Sequence, residues 1–256
     1  MEDILTISLI QTDIVWENPK ANFENYQNIL NTSKEAPDLI ILPEMFNSGF
    51  SMHYSEGIND ISSQWLKNTS KTSNAHLFAS LAIKNFDQKH NQGQWVSPNG
   101  EINIYNKKHL FSYGNEHCHF TPGDSNIITS IRNWRFKPLI CYDLRFPVWS
   151  RNTKPHYDIL IYIASWPTVR IDAWKSLLKA RAIENQCFVI GVNRLGKDGN
   201  NLEYNGQSMI FDFAGKKILD SEDQNGIFTS HFSYSDLQNY RERYPFQSDA
   251  DSFNLL

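Results

Sequence analysis

Along residues 4–10 apolar and polar positions alternate, with Leu5, Ile7 and Leu9 on one face, which predicts a half-buried strand. Asn18-Pro19 then supplies a helix start, Asn as N-cap and Pro in the first helical position, and Phe23, Tyr26, Ile29 and Leu30 recur on one face of that helix. Residues 38–42 are apolar on both faces and stop at Pro43, the pattern of a fully buried strand. A second helix is expected around Ile61, Trp65 and Leu66, and a strand near residues 77–83. Residues 94–97 and 101–105 flank Pro98-Asn99-Gly100, a hairpin signal because Asn and Gly tolerate positive φ. Further strands are expected at 135–141, 158–164, 187–192 and 207–213, and a helix at 171–185 with Trp174, Leu177, Leu178 and Ile183 inward. A last antiparallel pair follows Ala214-Gly215-Lys216 and reaches Phe232. Strands alternating with helices and no linker give one α/β domain over residues 1–232. Residues 233–256 read as a polar, irregular tail anchored by Tyr244-Pro245-Phe246, expected to dock on the body or on a partner subunit.

Composition narrows what such a domain does. With 40% hydrophobic residues the chain of 256 can bury a large core, and its net charge of −4 comes without any basic cluster, which argues against nucleic acid as partner. The longest apolar run, residues 159–164, is far too short to span a membrane, and the start Met1-Glu2-Asp3 is acidic where a signal peptide would be basic. A cytoplasmic protein with a small-molecule partner is the expectation. Cys118, Cys141 and Cys187 are three, so they cannot all pair, and no two have the close spacing of a metal site. Cys187, in a buried strand, reads as core.

Reactive side chains gather where strands end. Leu42-Pro43-Glu44 closes one buried strand, Cys141-Tyr142-Asp143 a second, and Ser165-Trp166-Pro167 a third. In open α/β sheets ligands bind outside the carboxyl ends of strands, so a site is expected there. Cys141 is the candidate nucleophile. A thiol is mostly protonated at neutral pH and needs a base, and a developing oxyanion needs a cation or donors. Glu44 supplies the carboxylate and Lys107 the cation, with alternation placing Lys107 and His109 on one face of the hairpin's end.

Together, Glu44 in Leu42-Pro43-Glu44-Met45-Phe46, Lys107 in Tyr105-Asn106-Lys107-Lys108-His109-Leu110-Phe111 and Cys141 in Cys141-Tyr142-Asp143-Leu144-Arg145-Phe146-Pro147 resemble the three signature segments of the nitrilase superfamily of carbon–nitrogen hydrolases. The likeness continues through Ala164-Ser165-Trp166-Pro167, Gly191-Val192-Asn193-Arg194 and Gly206-Gln207-Ser208. It implies a four-layer αββα sandwich, a homodimer, a Glu-Lys-Cys triad and no cofactor or metal. In that triad Glu44 is general base, Cys141 nucleophile, and Lys107 with the Tyr142 N–H the oxyanion stabiliser. Glu116, seven residues before Gly123, corresponds to the family's second glutamate, which positions the lysine or the substrate.

The segment from Cys141 to Asn152 and Trp166-Pro167 are similar to the ω-amidase branch, which deamidates 2-oxo acid ω-amides such as 2-oxoglutaramate and 2-oxosuccinamate. Such substrates carry a carboxylate. Arg170 is the candidate to bind it and Trp166 a candidate pocket wall, while Arg145 is assigned an ion pair with Asp143 or Glu116 and left off the site. Rival readings stay open: another aliphatic amidase or N-carbamoyl-amine amidohydrolase, a nonenzymatic regulatory domain, a Cys-His hydrolase using His109, and a metal enzyme. The last would use His109, His117, Cys118 and His119, with His117 and His119 on one strand face.

Overall fold

The computed structural model describes residues 3–57 and 60–253. In chain order the strands are β1 (Ile4–Gln11), β2 (Leu39–Ile41), β3 (His76–Asn85), β4 (Gln88–Val96), β5 (Ile102–Asn106), β6 (Thr129–Ile131), β7 (Trp134–Ile140), β8 (Ile159–Ile163), β9 (Phe188–Val192), β10 (Leu195–Lys197), β11 (Glu203–Asn205), β12 (Met209–Phe211), β13 (Lys217–Asp220) and β14 (Gly226–Ser233). The helices are α1 (Pro19–Leu30), α2 (Ile61–Ser73), α3 (Pro147–Ser150), α4 (Ile171–Asn185) and α5 (Tyr234–Arg243). Two six-stranded sheets form, ordered β14-β1-β2-β3-β4-β5 and β13-β12-β9-β8-β7-β6, with β10 and β11 as a separate hairpin. Each sheet has a parallel centre, β1-β2-β3 in one and β7-β8-β9 in the other, and antiparallel flanks.

Side-chain alternation builds the layers. Leu5, Ile7 and Leu9 of β1 enter a core shared with Trp134, Phe136 and Ile161 of the second sheet. Ile40, Leu77, Ala79 and Leu81 point the other way, into a core with Tyr26 and Ile29 of α1 and Leu66 of α2. On the far side α4 lies against β9 so closely that a Cβ on Gly191 would stand 2.4 Å from Leu178 Cδ1. The result is the four-layer αββα sandwich. Asn18 caps α1 as the sequence predicts, accepting from the Ala21 N–H at 3.2 Å.

Several elements depart from expectation. The last two strands do not pair with each other: β13 joins β12, and β14 runs antiparallel to β1 from Ile4↔Ser233 to Gln11↔Gly226. That pairing covers what would be an open edge of the first sheet. Ile183 is 49% exposed, because the inward stripe of α4 runs through Trp174, Leu178, Arg181, Ala182 and Asn185. It instead lies over Gly215, where a Cβ would come within 2.5 Å of Ile183 Cγ1. The segment after Ser233 is not irregular. Ser233 caps α5, whose Leu237 enters the inter-sheet core, and Gln186 Nε2 donates to the Tyr244 carbonyl at 2.8 Å. The hairpin forms around Gly100 at φ +88°, but β4 begins at Gln88, well before the apolar residues that signal it.

Candidate active site

Both parallel centres end at the same edge, and the chain turns sharply there. Glu44 follows β2 and precedes Met45 at φ +47°; Cys141 follows β7 and itself has φ +45°, an uncommon and strained value for a non-glycine residue. Cys141 opens a 3-10 helix over Cys141–Arg145, so the Tyr142 N–H lies in a first turn that has no acceptor of its own. Lys107 follows β5, its N–H donating to the Asn91 carbonyl at 2.9 Å and its carbonyl accepting from Gly123 N–H at 2.9 Å. A Cβ on residue 123 would stand 2.1 Å from the Asn106 carbonyl oxygen, so glycine is required for that crossing. Strand β5 ends at Asn106, and the alternation expected to put Lys107 and His109 on one face does not extend to them.

Four of the side chains singled out from sequence meet. Lys107 Nζ donates to Glu44 Oε1 at 2.8 Å and to Glu116 Oε2 and Oε1 at 2.9 and 3.1 Å, all three side chains fully buried. Glu116 also accepts the Phe111 N–H at 2.6 Å, and Glu44 Oε2 accepts the Ser165 N–H at 2.8 Å. The Cys141 thiol lies beside them, within the electrostatic reach of Glu44, Lys107 and Glu116. Burial pushes the thiol well above its usual range, Glu44 and Glu116 add to this and Lys107 only partly opposes them, so the sulfur is protonated at rest. Burial alone would discharge Lys107, but Glu116 and Glu44 outweigh it and hold the ammonium charged. Burial likewise raises Glu116 above the ordinary carboxylate value, against the pull of Lys107.

Two fasteners fix this centre that the sequence reading did not include. Buried Asp143 accepts from Tyr105 Oη at 2.7 Å, His109 N–H at 3.0 Å and Ile140 N–H at 3.1 Å, and lies 2.8 Å from His109 Nδ1. It therefore ties the segment on both sides of Lys107 to the turn carrying Cys141. Asn193, after β9, accepts the Trp166 N–H at 2.8 Å and donates to the Trp166 carbonyl at 2.9 Å, holding the strap that delivers the Ser165 N–H. The Asp143 signal was its place two residues after the cysteine. Asn91, whose Nδ2 donates to Glu44 Oε1 at 2.8 Å and Glu116 Oε1 at 3.1 Å, had no signal: it stands in a polar run, Lys89-His90-Asn91-Gln92, that reads as surface.

Cys141 reaches a cavity of about 410 Å³. Tyr142, Trp166 and Arg170 line it as expected, with Phe50, Met52, Phe111, Tyr113, Val169 and Leu202 as apolar walls. Arg145 lines it too, which corrects its assigned ion pair: Asp143 and Glu116 have their oxygens taken as described above, and the Arg145 guanidinium lies 5.1 Å from the Trp166 ring. Arg170 lies 5.2 Å from the Phe111 ring and 5.9 Å from that of Tyr113. Among the described residues neither arginine forms an ion pair. The β10–β11 hairpin closes the far wall, where Asp198 accepts the Tyr204 hydroxyl at 3.0 Å.

The histidine readings are taken apart by the same geometry. His109 turns to Asp143 and stacks on Phe146 at 3.7 Å, in a different groove from the Cys141 cavity. His117 and Cys118 lie on a 3-10 helix, Glu116–Cys118, not on a strand, with 3.4 Å between Nε2 and Sγ, and His119 instead meets His53. Cys187 is buried in the core as expected.

Comparison with known proteins agrees with this arrangement. A family model described as carbon-nitrogen hydrolase matches residues 6–242. The chain is 39% identical over 254 residues to an omega-amidase of Escherichia coli (YafV), covering 98% of each chain. It is 32% identical over 251 residues to a 2-oxoglutaramate amidase of Bacillus subtilis, covering 95% of this chain and 96% of that one. A solved CN-hydrolase superfamily protein of Xanthomonas campestris, with an arsenic adduct in its active site, superposes with a TM-score of 0.96 at 37% identity over 99% of both chains. The buried Glu-Lys-Cys cluster thus stands in a chain matched by that family nearly end to end: the protein belongs to the carbon–nitrogen hydrolase family and is an amidohydrolase.

Proposed function

We propose that the protein is an ω-amidase that hydrolyses the terminal amide of small 2-oxo dicarboxylic acid monoamides, 2-oxoglutaramate and 2-oxosuccinamate, to the dicarboxylate and ammonia. What carries the reading is the buried cluster of Glu44, Lys107 and Cys141, from which Cys141 opens onto a cavity lined by two arginines that form no ion pair among the described residues. The similarity to an omega-amidase and to a 2-oxoglutaramate amidase supports the substrate class.

In this reading Glu44 removes the thiol proton as the sulfur attacks the amide carbon, forming a C–S bond. The two oxygens of Glu44 are loaded unequally: Oε1 accepts from Lys107 and Asn91, Oε2 from the Ser165 N–H, which makes Oε2 the oxygen for the thiol proton. Lys107 Nζ exchanges its longer, 3.1 Å contact with Glu116 for the developing oxyanion, which the Tyr142 N–H also stabilises. Each such donor is worth roughly 3–4 kcal/mol in the transition state. Glu44 returns its proton to the leaving nitrogen, and ammonia departs from a thioester. Water, deprotonated by the same carboxylate, then attacks the thioester carbon, and the thiolate leaves and is reprotonated. Glu116 holds Lys107 in place.

Arg145 and Arg170 are the cations for the distal carboxylate, held over aromatic faces, and a guanidinium can grip a carboxylate bidentately. A homodimer, which the resemblance implies, and a cytoplasmic location, expected from the sequence, belong to the same reading. Ammonia release from 2-oxoglutaramate, glutamine, a carbamoyl amino acid and a nitrile tests the substrate class, with 2-oxoglutaramate expected to dominate. Arg170→Ala and Arg145→Ala should each raise KM for 2-oxoglutaramate at least about tenfold, by the loss of a charge-assisted hydrogen bond, and leave a neutral short amide nearly unaffected. Equal effects on both substrates would exclude the carboxylate role.

A further inference from the structure

Asn91 is fully buried, and its side-chain amide touches two of the four groups on which the proposed chemistry depends, Glu44 and Glu116. Its carbonyl accepts the N–H of a third, Lys107. The orientation of the amide is dictated by charge: turned over, its oxygen would face two carboxylates. Its Oδ1 is buried with no hydrogen-bond partner among the described residues. A buried acceptor left unpaired is costly, and an aliphatic side chain would avoid that cost. Retaining an amide here is therefore explained by its donor end.

The charge balance says what that end does. Two carboxylates share one ammonium, with all three side chains fully buried. A second cation would pair with Glu44 and depress the basicity it needs; no donor at all would leave the carboxylates repelling each other and drawing protons. An amide NH2 is the intermediate solution. It gives one N–H to each carboxylate and adds no charge.

We infer that Asn91 is a positioning residue of the reaction: its NH2 group bridges Glu44 and Glu116, holds both carboxylates around Lys107 without adding charge, and leaves Glu44 Oε2 directed at the Cys141 thiol. The inference rests on the Glu44, Lys107 and Cys141 reading above. The contacts of Asn91 run to Glu44, Glu116 and Lys107, so it acts through them and not on substrate.

The test uses the full chain, with 2-oxoglutaramate as substrate, and measures kcat and KM across pH alongside the thermal midpoint. Asn91→Asp keeps the shape and exchanges the donor for an acceptor. It should lower kcat at least about a hundredfold and move the acid limb of kcat/KM upward by about one pH unit or more, with KM within about twofold of the parent. Asn91→Ser, which keeps one hydroxyl donor and fits the same space, should lose less and shift less. A residue that merely fills space predicts the opposite: Asn91→Asp with the parent's acid limb, and losses that track the folded fraction alone. Either of those results overturns the inference. Cys141→Ala, measured in parallel, separates the two levels. Turnover surviving there removes the underlying reading, whereas an unshifted Asn91→Asp profile beside an inactive Cys141→Ala removes only the role of Asn91.

Discussion

A thiol buried beside two carboxylates does not ionise by itself, and its strained φ of +45° is sustained by Asp143, which binds Ile140 on one side and Tyr105 and His109 on the other. The site is therefore assembled from groups that are each unfavourable when buried alone and are reconciled by one another. Lys137, four residues before Cys141, shows the uncompensated case. It is buried on β7, donates to the Trp149 carbonyl at 2.6 Å, and burial pulls its ammonium down to about 8, with Asp143 and Cys187 only partly opposing. In the unfolded chain the same group titrates near 10.5, so between these values the unfolded state binds more protons and stability rises with pH. Denaturation midpoints should climb from pH 8 toward 9.5, part of a span of roughly 3 kcal/mol, and Lys137→Met should abolish the climb. An identical pH dependence in that variant would contradict the assignment. Residue chemistry was the most legible part of the sequence: Glu44, Lys107 and Cys141 stand together in three segments that resemble one family's signatures. Arg145 and Asn91 were not, because a guanidinium or an amide has no distinguishing neighbours until folding brings acids and aromatic rings to it.

Among the elements, those whose hydrophobic period matches their burial were readable from sequence, and those stabilised by polar contacts were not. Strand β2 falls where its apolar run places it, and helix α1 buries Tyr26 and Ile29 as its period predicts. The middle of β4 is polar yet buried, since Asn91, Gln92 and Gln94 serve the Glu-Lys-Cys enclosure and its surroundings. Helix α5 has one buried apolar residue, Leu237, and is held largely by Arg241. That guanidinium donates to Asp158 Oδ1 at 2.7 Å, the Gln186 carbonyl at 2.9 Å and the Tyr157 carbonyl at 2.7 Å. Asp158 is itself nearly inaccessible, with a side chain 2% exposed. Arg241→Ala leaves that carboxylate buried without a countercharge and should cost about 3 kcal/mol or more in chemical denaturation. The kcat/KM of the folded fraction should be unchanged, because α5 contributes nothing to the cavity. An unaltered midpoint would mean that α5 is not an integral part of the body.

At the scale of the molecule, two sheets with parallel centres lie face to face, and each contributes the end of a buried strand to one edge. Glu44 comes from the first sheet and Cys141 from the second, so the proposed base and nucleophile are brought together only by correct packing of the whole sandwich. The hairpin β4–β5 brings Lys107, and the strap after β8, clamped by Asn193, brings Ser165 and Trp166. This arrangement makes one central claim: the amide is cleaved through a thioester on Cys141. Rapid acid quench of the enzyme during turnover of 2-oxoglutaramate, followed by peptide mass spectrometry, reads that claim directly. The account predicts an acyl adduct on the Cys141 peptide that appears within the first turnover and is absent from the peptides of Cys118 and Cys187, together with an inactive, normally folded Cys141→Ala. Turnover without an adduct on Cys141, or turnover by Cys141→Ala, would contradict it.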